Sequence, residues 1–170
     1  EEEKAQWKAR QNVKRSYQEE VLKKLFKIIP EGFDLKQYGA LPYDTARYPL
    51  YAVTPKNFDA NKPSALITGG VHGYETSGVQ GALQFIETKL SQYAEQLNIV
   101  VVPCVSPWGY ETINRWNPLA LDPNRSFYKD SPAPESAQLM KLVSDLALPL
   151  TLHIDLHETT DTDNSEFRPA

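Results

Sequence analysis

A histidine and a glutamate stand three positions apart in the segment "TGGVHGYET", residues 68–76, directly after a short apolar run. Neutral imidazole and carboxylate are good ligands for zinc, and a catalytic zinc site typically has three protein ligands and one position open for water. Glycines at positions 69, 70 and 73 would let the backbone turn sharply beside an ion. His72 and Glu75 are therefore predicted metal ligands.

A third ligand is expected from "LTLHIDLH", residues 150–157, where the other two histidines of the chain lie. His153, Asp155 and His157 alternate along one face of this predicted strand, so His153 competes with His157 for the role. We prefer His157, because it stands at the end of the strand. Asp155 is expected to orient that histidine, with bridging of a second metal as the alternative. Spacing alone does not exclude histidines that are only hydrogen-bonded structural residues.

The elements that must position these side chains alternate between strand and helix. An amphipathic pattern predicts one N-terminal helix over residues 1–29. The motif-bearing core, residues 62–160, is predicted to contain buried strands at 64–70 and 98–105, a third strand at 150–157, helices after Ser77 and Pro134, and a long loop over 106–131. We expect Ser77 and Gln80 to cap the first of these helices as a Ser-x-x-Gln pair.

This alternation predicts an α/β fold, a single three-layer α/β/α domain with a mostly parallel mixed sheet across residues 1–170. In such sheets, ligands gather beyond the carboxyl ends of the strands. The predicted ligands follow two strand ends, so the topology should bring them to one edge of the sheet.

Four motifs stand in a fixed order along the core: "TGGVHGYET", "VSPWGYETINRW", "DPNRSF" and "IDLHET". Together they resemble the H-x-x-E motif, the N-P-x-G-like turn with a following arginine, the D-x-N-R-x-F motif and the later ligand histidine of the M14-type zinc carboxypeptidases. "DLHET" is also similar to the succinylglutamate desuccinylase and aspartoacylase branch of that family. The resemblance covers residues 64–160 and implies a carboxypeptidase-like (phosphorylase/hydrolase-like) fold, whereas residues 1–60 carry no comparable signature.

The resemblance also implies individual roles. The expected zinc ligands, one ion per chain, are His72, Glu75 and His157; Arg115 would polarise the scissile carbonyl, and Asn124 and Arg125 would hold a substrate carboxylate. A planar guanidinium suits bidentate binding of a carboxylate. The alternative for both arginines is an ordinary loop ion pair with Asp122 or Asp130. Asp122 is otherwise expected only to support its loop.

These roles describe a metallocarboxypeptidase that cleaves the C-terminal peptide bond of peptides. Two alternatives stay open: a zinc-dependent deacylase of N-acyl amino acids, and a non-catalytic module that binds C-terminal peptides. In the resembled family the general base lies far beyond the third ligand, so we expect it C-terminal to Ala170 and the domain to be incomplete at that end.

Bulk properties exclude several other classes. A net charge of −4 argues against nucleic-acid binding, and no apolar run approaches the length that spans a membrane. The single cysteine, Cys104, allows no internal disulfide, and a reducing, cytoplasmic setting is expected. The sequence carries no signal for oligomeric state.

Overall fold

The structure is a computed structural model that describes residues 2–146 and 149–158. A sheet runs through this part of the chain in the order β1-β2-β4-β3-β5. Its strands are β1 (Phe33–Ala40), β2 (Pro49–Pro55), β3 (Ser64–Gly69), β4 (Asn98–Val102) and β5 (Leu150–Leu156). β2 is antiparallel to both of its neighbours, whereas β3 is parallel to β4 and to β5. Only β2 opposes the common direction, which confirms the mostly parallel mixed sheet.

Helices cover both faces of the sheet. They are α1 (Glu2–Ala9), α2 (Lys23–Leu25) with a preceding π-helical turn (Gln18–Leu22), α3 (Thr76–Thr88), α4 (Leu90–Tyr93), α5 (Pro107–Thr112) and α6 (Pro134–Leu146), with a 3-10 turn at Pro123–Arg125. No helix in the described residues is long and apolar enough to cross a lipid bilayer.

The core divides into two clusters because successive side chains of a strand point to opposite faces. On one face Ile67 of β3 and Val101 of β4 pack with Leu83 of α3. On the other face Leu66 and Val100 pack with the α6 cluster that includes Leu139. Full burial of an aliphatic side chain contributes about 1.5–3 kcal/mol, so both helices are held mainly by their apolar stripes. The three-layer prediction is confirmed.

The N-terminal helix expected over residues 1–29 is interrupted. α1 ends at Ala9, and the chain does not become helical again until Gln18. In between, the amides of Lys14 and Arg15 donate to the carbonyl of Glu111 in α5, at 2.8 and 3.3 Å. Hydrogen bonds to a distant part of the fold therefore replace the local ones that a continuous helix would make.

Two smaller expectations are also corrected. The residue that precedes α3 is Glu75, so Ser77 lies inside the first turn instead of capping it. The Ser77 amide donates to the Glu158 carboxylate at 2.8 Å, and the Ser77 hydroxyl contacts the same oxygen. The segment 106–131, expected as a loop, contains α5, whose six residues are all buried.

Candidate metal centre

Parallel pairing of β3 with β5 sets the position of the site. Gly69 lies opposite Leu156, so the two strands end at the same edge of the sheet. Beyond β3 the chain turns at Gly70, whose φ of +61° favours glycine, and reaches His72 and Glu75. Beyond β5 it reaches His157 directly. The convergence expected from the strand pattern is thus present in the fold.

His72, Glu75 and His157 form one group whose potential ligand atoms all lie within 4.8 Å of one another. The Nδ1 atom of His72 is 2.9 Å from one oxygen of Glu75, and the Nδ1 atom of His157 is 2.7 Å from the other. His72 and Glu75 are buried, at 3% and 2% exposure, while the side chain of His157 is 33% exposed. The group therefore opens to solvent on the side of His157.

Carboxylates hold the far side of both imidazoles. Nε2 of His72 is 2.8 Å from an oxygen of Asp122, and Nε2 of His157 contacts Asp155. Metal-binding histidines in proteins characteristically donate their second ring nitrogen to such a partner, which fixes ring orientation and tautomer. Two anchored imidazoles and one buried carboxylate are a donor set that fits zinc.

Neighbouring groups of opposite charge shift the pKa values of His72 and Asp122. Burial alone would lower the pKa of His72, but its hydrogen bonds to Asp122 and Glu75 and their charges outweigh burial, so the pKa is raised. Burial would raise the pKa of Asp122, yet the His72 hydrogen bond and charge, together with Arg115, lower it to about 2. The carboxylate facing His72 is therefore ionised at neutral pH, as a charged outer partner must be.

Asp122 also connects the centre to Arg115 and Asn124. The Arg115 Nε donates to Oδ2 of Asp122 at 3.1 Å, and the backbone amide of Asn124 donates to Oδ1 of Asp122 at 2.8 Å. Arg125, at the end of the same 3-10 turn, is exposed, and its guanidinium donates to the Asn124 carbonyl at 3.4 Å. The substrate roles of Arg115, Asn124 and Arg125 stay predictions.

Asp122 is the residue whose part the sequence understated. It was expected only to support its loop, but it spans 50 positions to contact His72. Its side chain also caps the Pro123–Arg125 turn, and an aspartate before a proline is a common signal for such a turn. That local signal predicts the cap, whereas the second contact depends on the fold.

His153 lies outside the group of potential ligands that includes His157. Its Nε2 is 2.9 Å from the hydroxyl of Thr68, which also donates to Asp155 at 2.6 Å. His153 does not belong to the group of potential ligands, and within residues 2–146 and 149–158 no second such group occurs around Asp155. The contact of Asp155 with His157 matches the orienting role that was preferred for it.

A cavity of about 440 Å³ lies beside Asp155 and Asn124. Its wall is mostly apolar and is formed by residues of β3, α6, β5 and the adjoining loops: Leu66, Val71, Asn124, Phe127, Leu139, Met140, Val143, Leu150, His153 and Asp155. None of these described lining residues is a lysine or an arginine. The polar lining of the cavity consists of Asn124, His153 and Asp155.

The loop that carries Arg115 and Asp122 is fastened to the start of α6. Asn117 donates to the buried carboxylate of Glu135 at 2.9 Å, and its own side-chain oxygen accepts the amide of Leu121 at 3.1 Å. The hydroxyl of Ser136 donates to the carbonyl of Pro123 at 2.7 Å. Both ends of the segment 117–123 are thus held by one helical turn.

Glu135 should make stability depend on pH. Burial, the largest influence, raises its pKa above the ordinary 4.5 despite hydrogen bonds from Asn117 and Tyr43. The folded state therefore keeps a proton that the unfolded state has lost, and stability falls as pH rises above about 4.5 through the raised pKa. Glu135→Gln retains an acceptor without the charge. We expect the free energy of unfolding of Glu135→Gln to exceed that of the wild type by about 1–2 kcal/mol at pH 8.

Urea unfolding of the metal-free protein at pH 5 and pH 8 measures this difference. We expect the gap between Glu135→Gln and the wild type to widen at pH 8. Parallel stability curves for the two proteins would show that Glu135 does not carry the pH dependence. Glu95→Gln is a suitable control, since Glu95 is exposed.

A protein-family model for the succinylglutamate desuccinylase/aspartoacylase catalytic domain matches residues 61–167. This match confirms the branch to which the "DLHET" motif pointed. No curated protein sequence gives a significant match.

Solved structures give the same fold. A candidate metallopeptidase from Shewanella denitrificans is 23% identical, with a TM-score of 0.67 over 81% of this chain and 50% of its own. One from Shewanella amazonensis is 26% identical, with a TM-score of 0.60 over 74% of this chain and 47% of its own. The chain thus spans about half the length of these structures.

A third similar structure is a metallo-carboxypeptidase from Pseudomonas aeruginosa, solved in complex with (2-guanidinoethylmercapto)succinic acid. It is 15% identical, with a TM-score of 0.61 over 81% of this chain and 38% of its own. The carboxypeptidase-like fold predicted from the motifs is confirmed by these comparisons.

Proposed function

Since the chain belongs to the succinylglutamate desuccinylase/aspartoacylase catalytic-domain family, we propose that it uses zinc to hydrolyse an amide bond next to a free carboxylate, as a metallocarboxypeptidase. The observation that carries this proposal is the group of His72, Glu75 and His157, with ligand atoms within 4.8 Å of one another. Its donor types and its opening toward solvent suit a catalytic rather than a closed structural ion.

The candidate ligands and the carboxylates behind them would have separate roles. His72, Glu75 and His157 would hold zinc, which when bound activates water and polarises a carbonyl. Asp122 and Asp155 keep the two imidazoles in place from behind. These contacts support a preorganised site, because a carboxylate holds the second ring nitrogen of each histidine.

The neighbouring cations would act on the substrate. Arg115 brings a positive charge beside the centre, where it would stabilise negative charge developing on the scissile carbonyl oxygen. Asn124 and Arg125, in one 3-10 turn, would bind the terminal carboxylate by an amide and a guanidinium. Because Asn124 also lines the apolar cavity, the side chain of the terminal residue would enter that cavity.

The cavity favours peptide cleavage over removal of an acidic acyl group. A succinylglutamate-like substrate carries several carboxylates, each of which needs a cation or several hydrogen-bond donors when it leaves water. The described lining offers no lysine or arginine; its polar members are Asn124, His153 and the acidic Asp155, too few donors for several carboxylates. An uncharged, apolar C-terminal side chain meets no such penalty. We therefore propose apolar C-terminal residues as the preferred substrates.

Deacylation of N-acyl amino acids is the second candidate, because the matched family is named for two such activities. The native, full-length protein can be assayed with zinc on N-blocked peptides that end in phenylalanine, leucine, lysine or aspartate, on their C-terminal amides, and on N-acetylaspartate and N-succinylglutamate. We expect release of phenylalanine and leucine and no cleavage of the amides.

Each other result has a definite meaning. If the protein hydrolyses only the N-acyl amino acids, its activity is deacylation and the carboxypeptidase proposal is wrong. Binding of C-terminal peptides without any hydrolysis would instead favour the non-catalytic module.

A further inference from the structure

Arg15 lies in the N-terminal segment, outside the residues that the family model matches, yet it reaches the metal centre. Its Nη1 donates to the hydroxyl of Thr76 at 2.6 Å, and its Nη2 donates to the carbonyl of Gly73 at 3.1 Å. Gly73 directly follows His72 and Thr76 directly follows Glu75. The guanidinium thus bridges the two ends of the turn that carries two of the three potential ligands.

We propose that Arg15 is a positioning residue for the metal centre, holding the turn 72–76 so that His72 and Glu75 face the same ion. This inference rests on the proposed function for the existence of the ion. It assigns a role in the site to a segment in which the motifs gave no signal.

The turn 72–76 also makes internal hydrogen bonds. The Glu75 amide donates to the His72 carbonyl at 3.2 Å, and the Thr76 hydroxyl donates to the Tyr74 carbonyl at 3.3 Å. Glu75 precedes α3 with φ −74° and ψ 83°, and its side chain makes no capping bond to the helix. The Glu75 carboxylate is directed instead at the two histidines. An external clamp is therefore well placed to keep the turn in one conformation.

The turn also packs closely against α5. A Cβ built on Gly73 would lie 2.1 Å from the Tyr110 nitrogen and 2.3 Å from the Ser106 carbonyl oxygen, so no side chain fits there. Arg15 is bound to the same helix, because its Nε donates to the Tyr110 carbonyl at 2.6 Å. The turn therefore contacts both α5 and an arginine that α5 holds.

Several contacts keep Arg15 in this position. Its guanidinium carbon lies 3.6 Å from the centre of the Tyr110 ring, a cation–π geometry. Its backbone amide donates to the carbonyl of Glu111, as does that of Lys14, and the amide of Tyr17 donates to the Glu111 carboxylate at 2.9 Å. Because the chain is not helical between α1 and the π-helical turn, Arg15 lies against the turn 72–76.

The geometry calls for arginine rather than for any cation. Three nitrogens of one planar group donate in three directions, to Tyr110, Gly73 and Thr76. A lysine ammonium sits at the end of a flexible stem and cannot reproduce this fixed fork. We therefore expect Arg15→Lys to recover only part of the function that Arg15→Gln loses.

Zinc affinity of the full-length protein, measured by competition with a chromogenic chelator, tests the proposal. Removal of an outer partner of a metal ligand typically costs about 10–100-fold in affinity, and since Arg15 binds the residues that follow two candidate ligands and not the ligands themselves, we expect a loss at the lower end, about 10-fold, for Arg15→Gln. Arg47→Gln is the matched control. Arg47 also comes from the N-terminal region and binds α5, through Glu111 at 2.7 Å, but does not contact the turn.

Arg47→Gln should bind zinc as the wild type does, even if both variants lose similar thermal stability. The spectrum of the cobalt-substituted protein should change for Arg15→Gln and not for Arg47→Gln, because only the former alters the ligand turn. Equal zinc affinity in Arg15→Gln, Arg47→Gln and the wild type would overturn the proposal.

Hydrogen exchange in the metal-free protein separates this inference from the proposed function. The Glu75 amide should exchange at least several-fold faster in Arg15→Gln than in Arg47→Gln. A wild-type protein that binds no zinc would overturn the proposed function. Faster exchange at Glu75 would in that case still support Arg15 as the clamp of the turn, and unchanged exchange would refute it.

Discussion

Replacing His157 by alanine is expected to abolish stoichiometric zinc binding, while replacing His153 by alanine leaves it intact. His157 is the potential ligand that β5 contributes, and its Nδ1 lies 2.7 Å from Glu75. Without it the protein keeps two ligands, one fewer than catalytic zinc sites typically use. The loss of affinity should therefore exceed the roughly 10–100-fold that removal of an outer partner costs.

His153→Ala is a well-matched control because the two histidines lie four positions apart near the same strand end. His153 binds the hydroxyl of Thr68 and is absent from the ligand group. Both side chains are exposed, so neither substitution should leave a large cavity in the core. Metal content by mass spectrometry of the native protein decides the matter. Zinc retained by His157→Ala, or lost equally from both variants, would refute the proposed ligand set.

The candidate ligand group could be predicted from sequence because each of its members follows a local sequence pattern. Apolar runs identify β3 and β5, and the parallel direction of successive strands places His72 and His157 at one edge. The H-x-x-E spacing fits within a single turn. These patterns depend on periodicity and on residue type, both of which are visible within ten residues.

The supporting contacts follow no such pattern. Arg15 bonds to Thr76 across 61 positions and to Tyr110 across 95, and Asp122 contacts His72 across 50. Only the folded backbone determines such pairs. The same cause explains the interrupted N-terminal helix, where the carbonyl of Glu111 accepts hydrogen bonds that apolar periodicity cannot anticipate. The candidate ligands could therefore be predicted from the sequence, whereas the contacts that hold them could be found only from the fold.

Arg115→Gln should lower kcat by about 10²–10³-fold while zinc content stays the same. This is the loss seen when one preorganised donor to a developing oxyanion is removed. The side chain of Arg115 is 24% exposed, and its Nε donates to Asp122 at 3.1 Å. If Arg115 served only to hold Asp122, the substitution would weaken zinc binding through His72 instead. Measuring zinc affinity and kcat on one variant separates the two roles.

Arg125→Gln provides the contrast within the same loop. Arg125 is exposed and would bind the terminal carboxylate in both the ground state and the transition state, so its loss should raise KM and leave kcat nearly unchanged. The two arginines would then divide into one that acts on the carbonyl and one that acts on the carboxylate. A rise in KM alone for Arg115→Gln would place Arg115 with substrate binding and refute its catalytic role. If Arg115→Gln loses zinc together with activity, Arg115 acts only by holding Asp122.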